Sequence, residues 1–134
     1  MGKLFGTDGI RGVVNAGLDA DLAYKVGLAA AQVLSKNKKE GEKPLVTIGK
    51  DTRISGDLLK GSLIAGLCSA GADVMDLGTL PTPGVAWVTV DAKADAGIVI
   101  SASHNPFYDN GIKLMNRDGE KMDETTIALI EDYL

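Results

Sequence analysis

Between residues 19 and 35, DADLAYKVGLAAAQVLS, apolar side chains recur at Leu22, Val26, Ala29, Val33 and Leu34 behind a leading carboxylate. That spacing predicts a helix with Asp19 or Asp21 as its N-cap. The charged run KNKKEGEKP breaks the pattern and predicts a surface loop, with Pro44 as the stop. LVTIG, residues 45–49, is short, apolar and β-branched and ends at a glycine, as a buried parallel strand does. SGDLLKGSLIAGLCSAG, residues 55–71, predicts a second helix with Ser55 as cap and Gly71 as stop. Cys68 falls among that helix's apolar positions and reads as a small core residue.

The alternation continues. ADVMDLGTL predicts a strand. TPGVAWVTVDAKA is ambiguous, because Val85, Trp87 and Thr89 alternate as in a strand while Thr82-Pro83 opens like a helix, Thr82 as N-cap and proline in the first turn; the sequence favours a short helix. AGIVIS is a strand, and GIKLMN a shorter one, antiparallel because too few residues separate the two for a crossover. DETTIALIEDYL places Ile127, Ile130 and Leu134 on one face behind Asp123 as N-cap. Strands alternating with helices in this way predict one α/β domain over residues 1–134. Its architecture is a three-layer α/β/α sandwich with a mixed, mostly parallel sheet. A last helix that runs to Leu134 without a glycine or asparagine cap is an ending some natural chains have, and also the ending expected of a piece of a longer protein.

Composition narrows the classes. The 134 residues are 45% hydrophobic and 24% charged, an ordinary globular balance long enough to bury a core. Glycine is enriched, at 17 residues, and many of these interrupt apolar runs, which suggests turns or backbone approaching a ligand. A net charge of −4 with only 4% aromatic residues argues against nucleic acid as a partner. No stretch is long and apolar enough for a leader or a membrane span, so a cytoplasmic location with no membrane partner is expected. One cysteine and one histidine allow neither an internal disulfide nor a zinc site of soft ligands.

Chemistry gathers in three polar clusters at strand ends or glycine turns, where ligands of open α/β sheets bind. TDGIRG carries Asp8 and Arg11; GKDTRISG carries Lys50, Asp51 and Arg53; SASHNP carries Ser101, Ser103, His104 and Asn105, with Lys113 following on the return strand. Convergence of these groups would make an anion pocket, best suited to phosphate, whose oxygens match the planar fork of arginine. Plainer readings remain open beside this one. Asp51 and Arg53 can form a surface ion pair of little consequence, and Ser101 and Ser103 can cap local backbone. A Ser-His-Asp hydrolase is disfavoured, because His104 adjoins Ser103 and no G-x-S-x-G elbow surrounds it. No Walker loop and no G-x-G-x-x-G occurs.

Taken in order, FGTDGIRG, GKDTRISG, ASHNP and NGIK resemble the first domain of the α-D-phosphohexomutases over nearly the whole chain. The wording FGTDGIRG and ISASHNPFYDNGIK is most similar to the bacterial branch acting on glucosamine phosphate. The resemblance implies that Ser103 is a phosphoserine that gives its phosphoryl group to one sugar hydroxyl and takes one back from another. The substrate pair would be glucosamine 6-phosphate and glucosamine 1-phosphate, feeding UDP-N-acetylglucosamine and the cell wall, with glucosamine or glucose 1,6-bisphosphate as the phosphorylating intermediate. Arg11 and Lys113 would compensate the phosphoserine charge, and Lys113 and His104 would share acid/base work. Asp8, Asn105, Asp51 and Arg53 would support the phosphate loops.

The same resemblance implies one Mg2+ held by the Ser103 phosphate and an acidic D-G-D-G-D-R-type loop of a second domain. No such loop occurs in this chain. Three further domains, a phosphosugar substrate and a homodimer contact through this domain are also implied. The 134-residue piece alone is then expected to be inactive. Two other readings stand beside it: a free-standing phosphosugar-binding or dimerisation module, and a sister specificity for glucose or mannose phosphate.

Overall fold

The structure is a computed structural model that describes residues 5, 6, 9–102 and 109–134. Its elements run β1 (Ile10–Val13), α1 (Ala20–Ser35), β2 (Leu45–Lys50), α2 (Gly56–Ser69), β3 (Asp73–Thr79), α3 (Thr82–Asp91), β4 (Ala96–Ile100), β5 (Asp109–Asn116) and α4 (Glu124–Glu131). They form one five-stranded sheet in the order β1-β5-β4-β2-β3. β2 lies parallel to both β3 and β4, whereas β5 runs antiparallel to β4 and to β1. Four strands therefore share one direction and only β5 opposes them, which is the mixed, mostly parallel sheet expected. β1 is an addition: its residues had read as a glycine turn, and pairing with β5 makes them a strand.

Period-two alternation divides the sheet into unlike faces. Val46, Ile48, Ile98, Ile100, Ile112 and Leu114 point to one side, where α1, α2 and α4 cover them in the main core. Val99 and Met115 point to the other and pack with Val85 of α3 in a smaller cluster. On that second side the Thr47 and Thr89 hydroxyls share a buried 2.7 Å hydrogen bond, and Thr89 donates to the Val85 carbonyl. Helices α1 and α2 approach until their backbones nearly touch. A methyl group on Gly66 would sit 2.1 Å from the Tyr24 carbonyl oxygen, so the contact requires glycine.

The helix ends follow their local chemistry. Asp19 accepts from the Leu22 N–H at 2.8 Å and Asp123 from the Thr126 N–H at 2.9 Å, both N-caps as predicted. Gly71, at φ 91°, closes α2 with Ala72 N–H bonded to the Leu67 carbonyl and its own N–H to that of Cys68, a Schellman pair. Two expectations change. Cys68 is exposed, because α2 buries Leu59, Leu63, Gly66 and Leu67, and Cys68 falls off that stripe. At α3 the cap position is Pro81, extended at ψ 153°, and Thr82 is the first helical residue. Among the described residues no helix is long and apolar enough to cross a membrane.

Candidate active site

The carboxyl ends of β2 and β4 lie side by side, and the turn that follows β2 is fastened there. Asp51 N–H, just past β2, donates to the Ile100 carbonyl at 3.0 Å, which holds the 51–55 turn against the exit of β4. Within that turn the Asp51 carboxylate accepts from the Arg53 N–H at 3.0 Å and pairs with the Arg53 guanidinium. The Arg53 side chain is only 12% exposed, so this pair is a folded part of the turn and not a solvated surface contact. Lys50 is committed elsewhere: its ammonium reaches Thr79 Oγ1 at 3.3 Å and the Asp57 carboxylate at 3.5 Å, tying β2 to β3 and α2.

On the other flank, register aligns the basic groups. Arg11 stands opposite Gly111, and Lys113 opposite Val99 two residues further along β5. Strand periodicity then places Arg11, Gly111 and Lys113 on one face, the face that carries Val99 and α3. Gly111 is needed for this approach. A methyl group there would lie 3.0 Å from Arg11 Cγ and 2.8 Å from the Ser101 carbonyl oxygen. Gly9, at φ 86°, brings the N-terminal segment flat onto β5, where a methyl group would meet the Ile112 carbonyl oxygen at 2.2 Å. Ser101 is buried, and its N–H donates to the Gly111 carbonyl at 2.9 Å.

Lys113 also borders a cavity of about 460 Å3 along β5, together with Gly6, Gly9, Thr82 and Lys121. Glu124 and Glu131 line the same cavity, so two lysines face two glutamates and its charge is balanced. The basic bias of the site therefore rests on the face shared by Arg11 and Lys113, not on this hollow.

Of the residues singled out in the sequence, Arg11, Asp51, Arg53, Ser101 and Lys113 are gathered around the ends of β2, β4 and β5. Asp8, Ser103, His104 and Asn105 lie outside the described residues. β4 ends at Ile100 and β5 begins at Asp109, so in the chain Ser103 falls between these two paired strands. Among the described residues no group of three or more His, Cys, Asp or Glu side chains is placed to hold a metal ion.

Sequence reasoning missed one residue of this region. Asn110 is completely buried on β5 and donates its amide to the Ser55 hydroxyl at 2.9 Å. Its signal was present but pointed elsewhere, since Asn-Gly reads as a hairpin turn and asparagine is depleted in strands.

The layered arrangement of α1, α2 and α4 on one face of a mixed sheet and α3 on the other defines the class: a three-layer α/β/α domain. Comparison with known proteins makes the class specific: residues 2–134 match phosphoglucomutase/phosphomannomutase, alpha/beta/alpha domain I, and the chain belongs to that family. It is 60% identical over 134 residues to a phosphoglucosamine mutase of Exiguobacterium sp., covering all of this chain and 30% of that protein. A phosphoglucosamine mutase of Heliobacterium modesticaldum is 54% identical over 134 residues, covering all of this chain and 28% of that protein. Among solved structures, a phosphoglucomutase/phosphomannomutase family protein of Burkholderia thailandensis superposes with a TM-score of 0.78 at 32% identity. That match covers 96% of this chain and 29% of the other. The chain thus spans 28–30% of the length of these curated relatives.

Proposed function

We propose that this chain is the phosphoserine-bearing domain of a phosphoglucosamine mutase, with Ser103 as the phosphoryl carrier. The observation that carries the reading is the alignment of Arg11 and Lys113 on one sheet face, next to the end of β4, which Ser103 follows by three residues in the chain. The names of relatives 54–60% identical along the whole chain support glucosamine phosphate over the sister sugars.

In the forward half-reaction, a hydroxyl oxygen of glucosamine 6-phosphate attacks the phosphorus on Ser103. The bond from phosphorus to Ser103 Oγ breaks, a new bond to the sugar oxygen forms, and the sugar's hydroxyl proton passes to a base. The released Ser103 Oγ takes up a proton. Once the bisphosphorylated sugar has reoriented, Ser103 Oγ gives that proton up and attacks the phosphorus on O6. The bond from that phosphorus to O6 breaks, and O6 is protonated, leaving glucosamine 1-phosphate. Such transfer depends mainly on alignment and on neutralising charge over the equatorial oxygens. A phosphoserine brings a charge of roughly −1.5 to −2. Arg11 supplies a fixed charge with fork geometry, and Lys113 a movable point charge two residues along the same face. The base falls to Lys113 or His104. Asp51 and Arg53 stiffen the turn facing the β4 exit, with Asp8 and Asn105 assigned to the neighbouring phosphate loops.

A Mg2+ ion would offset further phosphoryl charge, but its hard-oxygen donor set does not exist among the described residues, and no step here runs through it. The acidic donors, like the sugar-recognition loops, belong to further domains of a longer parent. This domain alone therefore turns over no substrate.

The test is conversion of glucosamine 6-phosphate to the 1-phosphate by the parent protein, extended beyond Leu134, with Ser103→Ala and Ser101→Ala beside it. Activity lost in Ser103→Ala and kept in Ser101→Ala establishes the carrier. Full activity in Ser103→Ala overturns it.

A further inference from the structure

Asparagine is an unexpected residue to find with 0% exposure in a strand, on the face that carries Ile112 and Leu114. A buried amide is costly unless bonded. Asn110 meets that cost twice: its Nδ2 donates to Ser55 Oγ at 2.9 Å, and its Oδ1 accepts from the Gly111 N–H at 2.9 Å. Ser55 gives something up in return. It holds the N-cap position of α2, yet its side chain makes no capping bond to the helix. Capping would be the usual use of a serine there, and its hydroxyl is instead engaged with β5.

The location of this bond gives it a consequence. Ser55 closes the turn that contains Asp51 and Arg53, and that turn is fastened to β4 by the Asp51 to Ile100 bond. Asn110 is the second residue after residues 103–108 rejoin the sheet, and the adjacent Gly111 carbonyl receives the Ser101 N–H. Between them, the backbone bond joins the end of β4 to the start of β5, and the side-chain bond joins the start of β5 to the Asp51–Arg53 turn.

We infer that Asn110 and Ser55 form a positioning pair, which holds the start of β5, and with it Gly111 and Lys113, at a fixed distance from the Asp51–Arg53 turn and so sets the geometry needed for phosphoryl transfer. Neither residue touches substrate. Asn110 is sealed beneath the strand ends, and Ser55 is half-buried. The inference rests on the mutase reading for its kinetic consequence, while the clamp itself can be measured without it.

The experiment uses the full-length parent with Ser55→Ala, Asn110→Ala, the double variant and Ser55→Thr. Misplacement of reacting groups by about 1 Å can cost ~100-fold, so kcat should fall ~10- to 100-fold in each alanine variant with KM for glucosamine 6-phosphate unchanged. The double variant should lose no more than the worse single one, and Ser55→Thr, which keeps the hydroxyl, should recover most of kcat. Hydrogen exchange should quicken at the amides of residues 101–111 in the alanine variants. Wild-type kcat in folded Ser55→Ala overturns the pair, as do single losses that multiply in the double variant. Should Asn110→Ala fail to fold, the two Ser55 variants decide alone. A wild-type parent without turnover would sink the mutase reading instead, and exchange would still decide the clamp: faster exchange in Ser55→Ala supports it, unchanged exchange overturns it.

Discussion

The two faces of the sheet come from the same strands yet are built on opposite principles. Toward α1, α2 and α4 the strands present branched aliphatic side chains almost without interruption: Val46, Ile48, Ile98, Ile100, Ile112 and Leu114. Toward α3 the same strands present Thr47, Gly49, Gly97, Val99, Gly111, Lys113 and Met115. The first face is a continuous core. The second has a small cluster under α3, a buried hydroxyl pair, and then open ground with Arg11 and Lys113. Even α3 is lightly used, since Trp87 is 67% exposed and Val90 50%. Apolar packing is concentrated on one side of a single layer of backbone, and the basic side chains Arg11 and Lys113 on the other.

Neighbouring residues test that contrast most sharply. Ile98 points into the main core with 1% exposure, and Ile98→Ala should cost about 2–5 kcal/mol in urea denaturation by the usual penalty for emptied core volume. A loss under 1 kcal/mol would mean that the covered face is not the main source of stability. The second face is tested through its hydroxyl pair. Thr89→Val leaves Thr47 without its 2.7 Å partner and should cost about 1–3 kcal/mol, most of it recovered when Thr47→Val is added. Additive losses would show that the pair does not act as a unit.

Smaller effects follow at the edges. Lys93 sits at φ 55° just past α3, with the Ala94 N–H bonded to the Thr89 carbonyl, so it occupies the left-handed position that glycine prefers. Lys93→Gly should stabilise the fold by about 0.5–1 kcal/mol. No gain in melting temperature would show that this turn relaxes at no cost.

The smallest effect is a pH dependence at the start of α4. Hydrogen bonds from the Thr126 N–H, then from its hydroxyl, hold the Asp123 carboxyl below its ordinary value of 3.8. A carboxylate favoured in the folded state contributes stability above its unfolded value and loses it as pH falls through the folded one. Melting temperature should therefore decline on acidification below about pH 4, and less steeply in Asp123→Asn, which keeps a capping oxygen without the titration. Equal slopes in the two proteins would remove Asp123 from the acid response.

Much of the fold was legible because its signals are local. The caps at Asp19 and Asp123, the stop at Gly71, the β-branched runs of β2 and β4 and the short return into β5 each act within a few residues. The basic groups of the site were legible as residue types as well. Where local pattern failed, a distant partner had decided the outcome. IRGV is a strand only because β5 lies beside it. Cys68 is exposed because the buried stripe of α2 is narrower than its apolar sequence suggests. Ser55 reads as a cap from its neighbours, yet its hydroxyl goes to an asparagine 55 residues away.

The sequence by itself determined the layered α/β architecture and which basic and hydroxyl residues the chain offers, since periodicity, capping and charge are properties of short stretches and of residue types. Only the tertiary structure decided which groups stand together: that Arg11 and Lys113 share a face, that the Asp51–Arg53 pair is folded into its turn, and that Asn110 reaches Ser55. Those relations depend on strand register and on crossings between segments far apart in the chain. A register shift of one residue would turn every side chain on the shifted strand to the opposite face.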